Sequence, residues 1–219
     1  GAIDYFTLGS AVKAGQAGVA TDTGHRGVMT EYAWAKGQPE KVRDYNWRGV
    51  HLSTVAAKRL IASYYGRRPD KSYFVGCSGG GRQGLMQAGR FPADYDGIVA
   101  GAPAASFTDL SMAFVNTVQA QNAPGGAIRS EQAKLLQEEV LRQCDSADGQ
   151  SDGLVADPRQ CRFDAAKLSC SVSSSPQCFS EPQIAALQRI HAGPKNSAGR
   201  QLAAGYEPSG SESGDPAPQ

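Results

Sequence analysis

Gly76-Cys77-Ser78-Gly79-Gly80 is the stretch on which the reading of this chain turns. It follows an apolar, strand-like run, Tyr73-Phe74-Val75, and it opens a helix-like segment from Gly81 to Arg90. A strand that turns sharply into a helix forces the residue between them into a strained backbone conformation, and glycines on either side remove the side chains that would clash. The pattern G-x-S-x-G in that context stands Ser78 at the top of a sheet as a candidate nucleophile. A serine hydroxyl is weak by itself and needs a base, and a tetrahedral oxyanion needs donors. The backbone N–H of Gly79, beside the helix N-terminus, is a candidate donor. The alternative reading is a glycine-rich turn carrying a solvated serine.

Outward from that point, residues 17–104 alternate strand and helix signals. Gly18 to Thr21 reads as a buried strand, and Ala56, Ala57, Leu60, Ile61 and Tyr64 recur at helical spacing. The strand ending at Val75 follows, then the helix after Ser78, then a short apolar strand from Gly97 to Ala100. This β-α-β-α order implies a parallel sheet. From about Ala105 the pattern changes to helices without strands. One starts at Ser130-Glu131 and carries Leu135, Leu136, Val140 and Leu141; another starts at Glu181-Pro182 and carries Ile184, Leu187 and Ile190. Residues 207–219 hold Pro, Gly, Ser and acidic residues without apolar periodicity and read as loop or frayed tail.

Composition excludes several classes. With 219 residues, 40% hydrophobic and 20% charged, the chain has the make-up of a soluble globular protein. A net charge of +1 without a basic block gives no electrostatic hold on nucleic acid or anionic lipid. Nothing in the sequence reads as a membrane span, and the lack of a signal segment decides nothing about secretion, because a mature chain has lost it. Five cysteines, four of them between 144 and 178, point to an oxidising compartment, and the absence of a CxxC pair argues against a zinc ribbon.

The surroundings of Ser78 carry a more specific signal. Gly76-Cys-Ser-Gly-Gly-Gly-Arg-Gln-Gly-Leu85 is followed by Arg90-Phe91-Pro92, Tyr95-Asp96-Gly97 and Gly101-Ala102-Pro103-Ala104. Upstream stand Thr21-Asp22-Thr23-Gly24-His25, and Arg48-Gly49-Val50-His51 leading into Tyr64-Tyr65-Gly66. Downstream come Cys144-Asp145, Asp148-Gly149, Asp152-Gly153, Ala192-Gly193-Pro194 and Gly205-Tyr206-Glu207-Pro208. In this order, from about residue 17 to about residue 212, the chain resembles the tannase and feruloyl esterase family of secreted serine esterases. The resemblance implies an α/β-hydrolase core with an inserted, mostly helical lid domain. Residues 1–104 would be part of the core with the nucleophile elbow, and residues 105–219 part of the lid with a calcium loop.

The acidic run Asp145 to Leu154 is the second chemical feature. Asp145, Asp148 and Asp152 fall within eight residues, and Gly149 and Gly153 permit the tight turns that aim oxygens at one point. Hard oxygen donors suit Ca²⁺ rather than zinc, although the spacing is not that of an EF-hand. A solvated acidic turn is the alternative. The resemblance implies a structural Ca²⁺ held by Asp145, Asp148 and Asp152 with the carbonyls of Gln150 and Leu154; Asp157 reads as a turn residue before Pro158. Cys144 and Cys161 bracket this loop, and a bond between them would contribute about 3 kcal/mol on the chain-entropy model. Cys170 and Cys178 bracket a Ser-rich loop, which leaves Cys77 unpaired. Cys77 could be a small buried apolar residue. The resemblance instead implies a bond from Cys77 to a cysteine after the catalytic histidine, which this chain does not contain.

The base and the acid are the departure from the family pattern. A triad in the order Ser, acid, His requires a histidine after Ser78, and only His191 follows it, inside a helix where packing explains it better. His25 and His51 precede the serine and read as structural. Asp96 and Asp109 follow the elbow too closely to come from a later strand. The chain is therefore expected to be an internal piece of a longer enzyme, without its triad acid and base, whose partner is the remaining portion of the same enzyme. The function implied is carboxylic ester hydrolysis through an acyl-enzyme on Ser78, with hydroxycinnamate esters of plant cell walls as the aromatic-acid ester substrates. Gallate esters and terephthalate monoesters are the alternatives within that chemistry. From other classes, a calcium-stabilised extracellular binding module and a serine peptidase remain open. The expected location is extracellular, with no nucleic-acid or membrane partner.

Overall fold

The computed structural model describes residues 2–27 and 31–214. The chain forms two compact units, Gly1–Ala105 and Ser106–Gln219.

In the first unit the helices α1 (Tyr5–Lys13), α2 (Pro39–Arg43) and α3 (Gly49–Tyr65) precede β1 (Tyr73–Cys77), α4 (Gly79–Arg90) and β2 (Gly97–Gly101). The two strands pair in parallel, Tyr73 against Gly97 through Cys77 against Gly101, with α4 as the crossover. Such a connection suits parallel pairing, because two parallel strands cannot be joined by a tight hairpin. The alternation of side chains divides the sheet into two faces. Phe74 and Ile98 point towards α4, where Gly84 lets the helix approach: a Cβ on Gly84 would sit 3.2 Å from both side chains. The opposite face, Tyr73, Val75 and Val99, is open, with relative exposures of 64%, 69% and 61%. Asp96 ties the two strand starts together, accepting from the Ser72 N–H at 2.8 Å and from Lys71 Nζ at 3.0 Å.

Two expectations need correction here. Residues 18–21 do not form a strand: no described strand pairs with them, and Val19 is 51% exposed. An apolar run becomes a strand only where a partner accepts its backbone hydrogen bonds. The helix after the serine begins at Gly79 rather than Gly81.

The second unit is built on α5 (Phe107–Gln121), α6 (Ser130–Cys144) and α7 (Glu181–Ala192). Its core is Leu136, Val140, Ala165, Leu168, Phe179, Ile184 and Leu187, the helical positions read from spacing joined by residues of the intervening loops. Cys144–Cys161 and Cys170–Cys178 are both disulfides, with Cα atoms 5.3 and 4.9 Å apart, and they staple the segments between α6 and α7. Residues 207–214 are a loop, as their composition suggests, but not a frayed one. The Gln137 side chain accepts from Ser213 Oγ at 2.6 Å, Glu212 accepts from the Ser209 N–H at 2.7 Å, and Gly210 lies so close to Leu141 that a Cβ would be 2.6 Å from its Cδ2. Composition misses this because the anchors are hydrogen bonds and one close backbone approach, not apolar periodicity. Residues 215–219 lie outside the described residues.

Candidate active site

Ser78 is the single residue between β1 and α4, and it is exposed. Its backbone sits at φ 57°, ψ −115°, a conformation that L-residues adopt only when the surroundings force it. Those surroundings are three hydrogen bonds. The Ser78 N–H donates to the Gly101 carbonyl at 3.0 Å, extending the β1–β2 ladder by one residue. The Ser78 carbonyl accepts from Arg82 N–H at 3.0 Å, the first turn of α4, and from Ala104 N–H at 3.1 Å, just past β2. The Oγ takes part in none of them and is left facing solvent.

Glycines make the turn sterically possible, but only one of the two in the motif, Gly76, is among those required. A Cβ on Gly76 would lie 2.5 Å from the Gly80 carbonyl oxygen, and one on Gly81 would lie 2.5 Å from the Gly101 oxygen and 2.8 Å from Pro103 Cα. Added at Gly79 or Gly80, a Cβ meets nothing within 4 Å. The close helix-to-strand approach thus falls on Gly76, within the G-x-S-x-G pattern, and on Gly81, one residue beyond it; the run of three glycines was the available signal for the second. Gly79 opens α4, so its N–H has no intrahelical acceptor and points from the positive end of the helix. Arg82, on the same first turn, is buried, with its guanidinium 4.7 Å from the Tyr45 ring centroid. Sequence reading did not single out Arg82.

The histidines are elsewhere. His51 Nδ1 lies 2.6 Å from Asp94 Oδ2, and its ring stacks on Phe91 at 3.8 Å. This pair has the chemistry of a base and its orienting acid. It stands past the C-terminal end of α4, however, and 12 helical residues put about 18 Å between the two ends. His25 stacks on Trp34 at 3.8 Å and meets the edge of Tyr45 at 5.4 Å. His191, on α7, packs edge-on to Phe163 at 5.8 Å.

Burial pushes the His191 imidazole below the usual histidine range, against the opposing pull of the Glu212 and Glu207 carboxylates. The unfolded state then binds the proton more tightly than the folded one, so stability falls as pH drops below about 6.5. Thermal melting between pH 7.5 and 5 should show this loss, and the slope should flatten in His191→Gln. An unchanged slope would mean that His191 takes its proton as readily folded as unfolded.

In the second unit, the Asp145–Asp148 turn ends at Gly149, at φ 90°, and Gly153 is at φ 80°. The Asp145 carboxylate accepts from the Gly153 N–H at 3.2 Å, folding the end of the loop back on its start. Asp148 accepts from Gln150 N–H at 2.8 Å and Asp152 from Leu154 N–H at 3.1 Å. The donor chemistry fits a hard cation. Among the described residues, however, no three His, Cys, Asp or Glu side chains are gathered into a metal-holding group. Asp157 is the turn residue expected, accepting from the Arg159 N–H at 3.2 Å. Cys77 is a free thiol and exposed, on the open face of β1 rather than in a core.

A parallel strand–serine–helix corner with strained backbone at the serine defines an α/β-hydrolase-like fold. Comparison with known proteins makes this specific. The family model described as tannase and feruloyl esterase matches residues 1–218, and the chain belongs to that family. An uncharacterised esterase of Xanthomonas campestris is 38% identical over 95% of this chain and 36% of its own length. A probable feruloyl esterase B-2 of Aspergillus flavus is 35% identical over 87% of this chain and 37% of its own. The crystal structure of feruloyl esterase B from Aspergillus oryzae superposes with a TM-score of 0.84 at 31% identity, covering 98% of this chain and 43% of that one. The chain thus spans a little over a third of the length of the curated relatives it matches.

Proposed function

We propose that this chain carries the nucleophile of a carboxylic ester hydrolase of the feruloyl esterase type, acting on hydroxycinnamate esters of plant cell walls. The observation that carries the reading is Ser78: exposed, at positive φ, with an uncommitted Oγ beside the first N–H groups of α4. In the reaction, Ser78 Oγ attacks the ester carbonyl carbon as its proton passes to a base. The carbonyl oxygen becomes an oxyanion facing the Gly79 N–H, and the C–O bond breaks as the alcohol leaves with the proton. Water then cleaves the acyl-serine and releases the acid.

The remaining portion of the same enzyme supplies the triad acid and base, a cysteine for Cys77 and cover for the open Tyr73–Val75–Val99 face. The substrate class rests on the names of the relatives; gallate esters and terephthalate monoesters are the alternatives. The two disulfides fit a secreted protein, and no described helix is long and apolar enough to cross a membrane. A fluorophosphonate probe incubated with the complete enzyme should label Ser78 stoichiometrically, as read by peptide mass spectrometry. Label on another residue, or none, would overturn the assignment.

The second unit is read as the lid, and Asp145, Asp148 and Asp152 with the carbonyls of Gln150 and Leu154 as its structural Ca²⁺ site. The support is three carboxylates within eight residues of sequence, on a loop closed by the Cys144–Cys161 bond, which limits how far the loop can open. Metal analysis of the complete protein should return one calcium per chain. At a hundredfold excess over Kd the ion would add about 2.7 kcal/mol, so chelator and Asp148→Ala should each lower the melting temperature by several degrees. A calcium-free protein indifferent to chelator would make the loop a solvated turn.

A further inference from the structure

The second unit holds an open cleft of about 380 Å³ between α5, α7 and the segment after α7. Its lining has two chemical halves. Met112, Val115, Pro194 and Leu202 form an apolar wall, and Arg189 and Lys195 bring two cations; among the described residues no Asp or Glu lines it. From these residues we infer that the cleft binds an amphipathic monocarboxylate, an aryl or arylalkyl acid, with its carboxylate on Arg189 and Lys195 and its hydrocarbon on the apolar wall.

The Arg189 side chain is held ready for such a ligand. Its Nε donates to Asn116 Oδ1 at 2.9 Å and its Nη2 to Gln119 Oε1 at 2.7 Å, while buried Asn116 returns Nδ2 to the Arg189 carbonyl at 3.1 Å. Both side-chain partners are neutral, so they orient the guanidinium without cancelling its charge. Of its five N–H groups, three have no acceptor among the described residues, and a planar fork already fixed in place loses little freedom on binding a carboxylate. Lys195 sits on a turn in which it bridges Gln201, the Leu202 N–H donates to the Pro194 carbonyl at 2.9 Å, and Asn196 Oδ1 accepts from the Ala198 and Arg200 N–H groups at 3.0 and 2.9 Å; none of these contacts uses the Lys195 side chain. That turn brings Lys195 to the same cleft as Pro194 and Leu202, which is why charge and apolar surface share it. A free inorganic anion would leave the apolar wall wet, and an uncharged aromatic would leave the cations unanswered; only a ligand with both parts uses both.

The site lies wholly within residues 106–214 and does not depend on Ser78. The test uses the complete protein with 3-phenylpropionate as probe and 3-phenylpropan-1-ol, which no esterase can cleave, as its neutral counterpart. Methyl NMR should show saturable shifts at Met112, Val115 and Leu202 with the acid, at least about tenfold weaker binding of the alcohol, and weakening on added salt. Lys195→Gln, whose backbone contacts are untouched, should weaken the acid about tenfold, and Lys195→Arg should restore it. Absence of saturable shifts at those methyls, equal binding of acid and alcohol, or an acid affinity unchanged in Lys195→Gln would each overturn the inference.

Discussion

Ser78→Ala should remove ester hydrolysis from the complete enzyme, lowering kcat/KM on methyl ferulate by about 10³-fold or more, while leaving the melting temperature where it was. The separation follows from the geometry. The turn is held through the backbone of Ser78, by the bonds to Gly101, Arg82 and Ala104, and alanine keeps all three. Only the Oγ is lost, and it stabilises nothing in the fold. Ser78→Gly should be equally inactive yet more stable than the parent, by about 1 kcal/mol or more, because glycine removes the cost of an L-residue at φ 57°. Strain released without activity is the signature of a backbone held for chemistry. Near-parental turnover by either variant would place the nucleophile elsewhere.

Gly81→Ala should destabilise the first unit by about 1–3 kcal/mol, since its methyl would be driven into the Gly101 carbonyl and Pro103 Cα. Both obstacles are backbone, so no side chain can swing aside. Gly80→Ala, one residue earlier on the same helix, is the matched control. Nothing lies within 4 Å of its added Cβ, and the helix gains up to about 1 kcal/mol from the better helix former. Urea unfolding followed by far-UV circular dichroism should therefore move the two midpoints in opposite directions. If Gly80→Ala proved the more damaging, Gly80 rather than Gly81 would be the sterically demanding glycine of this helix.

Much of this was legible in the chain because the relevant physics is local. An apolar run, a glycine-flanked serine and a helical repeat announce a strand–turn–helix without knowledge of anything distant, and β1, Ser78 and α4 lie where the pattern puts them. The apolar positions of α6 and α7 likewise become core, since periodicity records which face must be covered. Cysteine spacing pointed to Cys144–Cys161 and Cys170–Cys178, each closing a loop of its own, and the fold contains both bonds.

What the sequence could not settle depended on partners far along the chain. Residues 18–21 carry strand-like composition, yet no described neighbour takes their hydrogen bonds, so they stay irregular. Residues 207–214 carry no apolar signal, yet Gln137 and Leu141 pin them. His51 looked like an ordinary helix-start histidine until the fold set Asp94 against it, 43 positions away. The pairing of Arg189 with Asn116 spans 73 positions, and this contact, invisible to any local window, orients the guanidinium of a residue that lines the cleft. By itself the sequence determined the elbow, its serine and the family, because a tight turn is dictated by the few residues that make it. The tertiary structure alone decided that Gly81 rather than Gly80 is the helix glycine pressed against β2 and which polar groups meet, because those distances arise only when separated segments are brought together.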